Sequence, residues 1–220
     1  MATPGGVSVP TIVKGFAESD SPNAVTLNLS EAEENLIRTL QKVVQAYQNG
    51  QIGKKIHQST SSEHINDAKK PKHALEFRIA GGWVRDRILG IESDDIDMAV
   101  AALTGVQAAQ LVHEYLELQE LPTHKIGIIK ANPDQSKHLE TATMKVEGLS
   151  VDFCHLRSEE YNDSRIPIVS IGTPQQDALR LDFTMNALFF SLTSCQIEDW
   201  SGRGLQDLQN GVLVTPMAPM

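Results

Sequence analysis

The stretch that most constrains this chain is Arg78-Ile79-Ala80-Gly81-Gly82-Trp83-Val84-Arg85-Asp86-Arg87, followed shortly by Asp94-Asp95-Ile96-Asp97-Met98. A strand-like run, Leu75–Ala80, ends in two glycines, and a short helical run, Trp83–Leu89, begins. Glycine lets the backbone approach a ligand closely. A helix N-terminus points free N–H groups and a partial positive charge outward. Arg85, one turn along, can add a fixed cation, and together these suit a triphosphate. In the next strand, Asp95–Ala101, residues i and i+2 share a face. Asp95 and Asp97 therefore point one way while Ile96 and Met98 point into the core. Two neighbouring carboxylates repel and shift each other's pKa unless a cation sits between them. Mg²⁺ fits, being a hard ion held by one or two carboxylates plus substrate phosphates. Two such ions can activate an attacking hydroxyl and stabilise the leaving oxygen of an in-line displacement. Each motif alone also occurs in solvated turns; their order and closeness carry the reading.

The surrounding pattern is α/β. Ser30 with Glu33 makes a capping box, and Leu36, Ile37, Leu40, Val43, Val44 and Tyr47 fall on one helix face that Asn49-Gly50 ends. Thr104 caps a second helix to about Leu118. His124–Ala131, Leu139–Val146 and Leu149–Leu156 read as strands, with a turn at Pro133-Asp134. Thr173-Pro174 with Gln176 predicts a long last helix to about Leu192. A short strand near Ile197–Trp200, a turn at Gly202–Gly204, a helical turn at Leu205–Leu208 and Val212–Val214 follow. Residues 1–28 read as a flexible lead-in. Residues 51–73, polar and carrying Lys54, Lys55, Lys69, Lys70 and Lys72, read as a solvated surface insertion, with a phosphate-tracking patch as the alternative.

Two further clusters bear on chemistry. Asp152, in Leu149-Ser150-Val151-Asp152-Phe153, lies in an apolar strand where a lone acid is costly to bury, so it is the candidate third carboxylate; the alternative is an edge-strand Asp facing water. In Arg180-Leu181-Asp182-Phe183-Thr184-Met185-Asn186, Asp182 and Asn186 are four apart and share a face of the expected helix. They could read a ribose and position a nucleotide, or satisfy backbone groups nearby.

With 19 Lys+Arg against 28 Asp+Glu the net charge is −9, which argues against a stand-alone nucleic-acid binder. No apolar run approaches the ~20 residues of a membrane span, and Met1–Pro10 has no signal-peptide pattern. Cys154 and Cys195 read as reduced thiols of an intracellular protein, whether of cytoplasm, mitochondrion or nucleus. The seven histidines show no ligand spacing and Cys-x-x-Cys does not occur, so zinc chemistry is unsupported.

Gly81-Gly82-x-Val84-Arg85-Asp86, Asp95-x-Asp97 and Arg180-x-Asp182-x-Thr184-x-Asn186-Ala187-Leu188 resemble the head domain of class II tRNA nucleotidyltransferases. These are the CCA-adding enzymes, relatives of bacterial poly(A) polymerases in the DNA polymerase beta superfamily. Ser136–Thr143, Val151-Asp152-Phe153, Ser164-Arg165-Ile166-Pro167 and Gly202-Arg203-Gly204-Leu205-Gln206-Asp207-Leu208 are similar to the eukaryotic type. The resemblance covers about residues 30–215 and implies a polymerase-beta-type head over 29–215, a small mixed sheet with flanking helices. It implies transfer of CMP and AMP from CTP and ATP, without a template, to the 3′ end of tRNA, releasing pyrophosphate. Asp95 and Asp97 would carry Mg²⁺; Gly81, Gly82 and Arg85 would contact the triphosphate; Arg180 and Asp182 sit where the family reads the ribose.

Two departures follow. The family has a second arginine where this chain has Leu181, and one lost charge-assisted contact is worth ~1.5–3 kcal/mol. After the tail 216–220, the base-reading Glu-Asp-x-x-Arg segment and the tRNA-holding helical domains are expected to be absent. A weak grip on tRNA, and self-association through exposed Val212, Leu213 and Val214, are the corresponding expectations. Two readings stay open: a CCA-adding transferase in truncated form, and a non-catalytic nucleotide-binding fragment lacking base selection.

Overall fold

The computed structural model describes residues 11–13, 25–54, 56, 74–129, 140–160 and 168–216. Its centre is a seven-stranded mixed sheet in the order β11-β10-β3-β4-β7-β6-β5. The strands are β3 (Glu76–Ala80), β4 (Ile96–Ala101), β5 (Gly127–Ile129), β6 (Thr141–Val146), β7 (Leu149–His155), β10 (Leu188–Ser191) and β11 (Gln196–Asp199). Every neighbouring pair in it is antiparallel except β4 and β7, which run parallel with Asp97 opposite Asp152. Thr11–Val13 (β1) pairs with Val25–Leu27 (β2) inside the stretch read as a lead-in, and Arg157–Glu160 (β8) pairs with Ile168–Ile171 (β9).

The faces of the sheet differ. On β4, Ile96, Met98 and Val100 join Phe77, Ile79 and Phe153 in the main core, against Leu36 and Leu40 of α1 (Glu31–Gln48) and Leu111 and Val112 of α3 (Gly105–Leu118). Each such side chain, fully buried, contributes about 1.5–3 kcal/mol. The alternate residues, Ala99 and Ala101, join Leu156, Ala178, Ala187 and Phe189 in a second, smaller cluster. Small side chains on this face let Ala178 of α4 (Pro174–Leu179) pack against the sheet beside Ala99 and Ala101.

The capping boxes at Ser30, Thr104 and Thr173 form as their sequences predict. The first has a second duty. Glu33 is 2% exposed. Its Oε2 accepts the N–H and hydroxyl of Ser30 at 2.7 and 2.8 Å, and its Oε1 accepts Trp83 Nε1 at 2.8 Å and Arg87 Nε at 2.9 Å. One buried carboxylate thus clips α1 to α2 (Gly82–Ile88), and Trp83 stacks obliquely on Phe190 with centroids 6.0 Å apart.

The expected helix from Thr173 to Leu192 is corrected. Its cap is right, but it stops at Leu179. A 3₁₀ turn, Thr184–Asn186, and then strand β10 follow. Leu188-Phe189-Phe190-Ser191 is buried throughout between β3 and β11, and a continuous apolar run has no period that separates a central strand from a buried helix. Asp182 and Asn186 therefore do not share a helix face. The expected strand at His124–Ala131 is confined to Gly127–Ile129 among the described residues. The turn at Pro133-Asp134, most of the 51–73 insertion and Ser164–Pro167 lie outside the described residues.

Replacing Glu33 with Ala leaves Arg87 and the Trp83 indole without their buried acceptor. The expected loss is about 3–5 kcal/mol, read as a lower chemical-denaturation midpoint; an unchanged midpoint contradicts the clip.

Candidate functional site

The site lies where β3 ends and β4 begins. Gly81 adopts φ +70° and ψ −125°, a backbone region open to glycine and strained for other residues. A Cβ here would meet only the Asn186 carbonyl, at an ordinary 3.6 Å. The requirement for glycine is therefore conformational. The Gly81 N–H donates to Leu188 O at 3.0 Å, which ties the turn to β10, and Gly82 opens α2.

Arg85, one turn into α2, is held from two sides. Its Nε donates to Asp86 Oδ1 at 2.8 Å and its Nη1 to Asn186 Oδ1 at 2.6 Å. Asn186 is braced in turn by its 3₁₀ turn. Thr184 donates its hydroxyl to Asp207 Oδ2 at 2.6 Å and its N–H to Val214 O at 2.8 Å. Asp207, on α5 (Gly204–Asn210), also accepts Arg203 Nε and Nη2 at 2.8 and 2.9 Å. Those bonds from Arg203, then from Thr184, hold its carboxyl below the usual range. Gly204 permits this closeness, since a Cβ there would lie 2.4 Å from Thr184 O.

Asp97 pairs with Ala80 on β3 on one side and with Asp152 on β7 on the other. It faces solvent, while Ile96 and Met98 are buried. Asp95, exposed just before the strand, adds a third carboxylate. The Asp97 side chain reaches the surface with part of its carboxyl screened from water; that partial burial, then the charges of Asp95 and Asp152, push its pKa up from the ordinary value, and Arg157 pulls it down. Among the described residues none of the three carboxylates is taken up by an ion pair, and no three His, Cys, Asp or Glu side chains come together closely enough to hold a metal ion by themselves. The donor set is hard oxygen whose repulsion at Asp97 is only partly offset by Arg157. It fits Mg²⁺, whose other ligands come from water and phosphate.

Arg180 caps the end of α4, and its Nε donates to buried Asp177 at 2.7 Å. Asp182 is exposed, and Leu181 packs on the small cluster beside Ala99 and Phe189. Arg180, Asp182 and Asn186 are thus turned to different surroundings instead of forming one stripe. Two charged groups escaped the sequence reading, Arg157 and Asp177. The Arg157 N–H donates to Asp177 Oδ1 at 3.1 Å, and its Nε lies 3.8 Å from the same oxygen. A single arginine after an apolar strand carries no periodic signal, and only the folding of α4 back onto the sheet brings the pair together. Burial, above all, pushes the Cys154 thiol up to about 11, which leaves little of the nucleophilic thiolate at neutral pH.

A glycine turn and helix on one strand, with carboxylates on the next two, define a polymerase-beta-type nucleotidyltransferase head. The chain belongs to the Poly A polymerase head domain family, which it matches over residues 77–214. The tRNA nucleotidyltransferase cca2 of Schizosaccharomyces pombe is 47% identical over 166 residues, covering 73% of this chain and 34% of that protein. The mitochondrial CCA tRNA nucleotidyltransferase of Saccharomyces cerevisiae is 43% identical over 200 residues, covering 89% and 34%. A solved CCA-adding enzyme in apo form shares the fold with TM-score 0.59 at 24% identity, over 86% of this chain and 36% of that one. The chain spans about a third of the length of the curated relatives it matches. No helix among the described residues is long and apolar enough to cross a membrane.

Because the folded state raises the Asp97 pKa, it binds this proton more readily than the unfolded chain does. Stability from this group is therefore lost as pH rises from the unfolded value through the folded one. Asp97→Asn should raise the melting temperature at neutral pH, and added Mg²⁺ should raise that of the unchanged chain but not of the variant. A variant that melts lower, or gains equally from Mg²⁺, contradicts the repulsion and the metal fit; calorimetry reads both.

Proposed function

We propose that this chain is the catalytic head, over residues 29–215, of a tRNA nucleotidyltransferase that adds CMP and AMP from CTP and ATP to the 3′ end of tRNA. The observation that carries the reading is the pairing of Asp97 with Asp152 beside the Gly81-Gly82 turn. Family membership and two relatives named as tRNA nucleotidyltransferases support it.

The roles follow from placement. Gly81, Gly82 and Arg85 receive the triphosphate, with Asn186 and Asp86 fixing the Arg85 guanidinium. Asp95 and Asp97 would hold Mg²⁺, which when bound supplies positive charge to the triphosphate and the departing pyrophosphate. Asp152, on the side of Asp97 away from the Gly81-Gly82 turn, would face the attacking 3′ hydroxyl. In the reaction that hydroxyl's oxygen bonds to the α-phosphorus as its proton passes to the Asp152 carboxylate or to water, the bond from α-phosphorus to the bridging oxygen breaks, and pyrophosphate leaves. Arg180 shapes this face through Asp177, and the exposed Asp182 would meet a ribose from the solvent side. Val212 and Leu213, 43% and 65% exposed, would offer a surface for self-association, whereas Val214, expected with them, is half-buried and its carbonyl accepts the Thr184 N–H.

The test is transfer of labelled CMP or AMP from CTP or ATP, with Mg²⁺, to tRNA lacking its terminal CCA. Label should enter the RNA with the unchanged chain and not with Asp97→Ala, at equal folded content by circular dichroism. Incorporation that survives Asp97→Ala removes this carboxylate pair from the reaction. No incorporation by the folded, unchanged chain favours the non-catalytic reading.

A further inference from the structure

Beyond the carboxylates and the Gly-Gly turn, one cation on the sheet face that carries Asp97 and Ala99 has no full partner among the described residues. Arg157 opens β8, directly after β7 and Leu156. The acid nearest its guanidinium is Asp177. Asp177 Oδ1 already accepts Arg180 Nε at 2.7 Å and the Arg157 backbone N–H at 3.1 Å. The Arg157 Nε, 3.8 Å from that oxygen, is buried and makes no hydrogen bond with any described residue. Glu159, further along β8, and the Cys154 thiol are its other acidic neighbours, and Arg180 repels it. A guanidinium has five N–H donors in a fixed fork, so most of this one's capacity is unspent. Its charge reaches Asp97.

The side on which it stands matters. β4 lies between β3 and β7. The Gly81-Gly82 turn adjoins Asp97 through β3 and Asp152 adjoins it through β7, while Arg157 follows β7 beyond the Val100–His155 pair, on the β7 side of β4. In an in-line displacement the attacking and leaving oxygens lie on opposite sides of the phosphorus. With the triphosphate tail on the β3 side, the nucleotide that brings the 3′ hydroxyl enters from the β7 side. We propose that Arg157 is a substrate-positioning residue that binds the terminal phosphodiester of the acceptor RNA, held ready because Arg180 occupies Asp177. The proposal rests on the nucleotidyl-transfer reading of the site and deepens it. Arginine suits the task through bidentate contact with phosphate oxygens.

The test uses the whole chain and two probes, a fluorescent tRNA transcript ending before CCA and CTP alone. RNA affinity is followed by anisotropy over a range of salt, and CTP affinity by calorimetry, for the unchanged chain, Arg157→Gln and Arg157→Lys. Arg157→Gln should weaken RNA binding by ~10-fold or more, the scale of a charged hydrogen bond. It should also reduce the slope of log affinity against log salt by ~0.7, one phosphate contact on a single strand. CTP affinity should stay unchanged, and Arg157→Lys should keep the slope while losing part of the affinity. Lysine retains the cation, so this variant also separates a lost contact from a lost fold. A fall in CTP affinity with RNA binding intact assigns Arg157 to the nucleotide and overturns the proposal, as do equal effects on both probes or none. If the unchanged chain binds CTP but not the RNA, the proposal fails while the transferase reading stands on its own transfer assay.

Discussion

The parallel pairing of β4 with β7 is the constraint on which the site depends. It sets Asp97 directly beside Asp152 in a sheet whose other neighbours are antiparallel. A slip of one residue would turn every side chain of a strand to the opposite face. Asp97 would then enter the core, and Ile96 and Met98 would face water. The burial of those two residues under α1 and α3 therefore fixes the register, and the register gathers the acids. Folding free energy from the apolar face is thus used to hold carboxylates together against their own repulsion.

The other half of the site is fixed by polar clips. Glu33 joins α1 to α2, the helix that carries Arg85. Asp207 joins the segment after β11 to the turn that carries Asn186, and Asn186 meets the Arg85 guanidinium. Arg85 is thereby oriented by residues far apart in sequence. The same economy governs the opposite side of Asp97, where Asp177 gathers Arg180 and the Arg157 backbone. Each clip is a buried or half-buried carboxylate with several donors, the arrangement in which a buried charge is tolerated.

Local signals in the sequence were legible where the physics is local. The capping boxes at Ser30, Thr104 and Thr173 and the strand–glycine–helix unit around Gly81 stand where their residues predict. Strand alternation correctly turned Asp97 away from Ile96 and Met98. What failed was the reading of Leu188–Ser191, whose unbroken apolar run serves a central strand as well as a helix. That one misassignment put Asp182 and Asn186 on a shared face and hid the contact of Asn186 with Arg85. Arg157 and Asp177 were illegible for a different reason: their meeting depends on α4 folding back over a face of small side chains, and no spacing in the chain encodes it.

The most direct measurement is a crystal structure of the chain soaked with CTP and Mn²⁺, with anomalous scattering used to place the metal. Anomalous density between the Asp95 and Asp97 carboxylates, with the triphosphate against the Gly81-Gly82 turn and Arg85, is the predicted result. Metal density away from this pair, or a triphosphate bound on another face of the sheet, would contradict it.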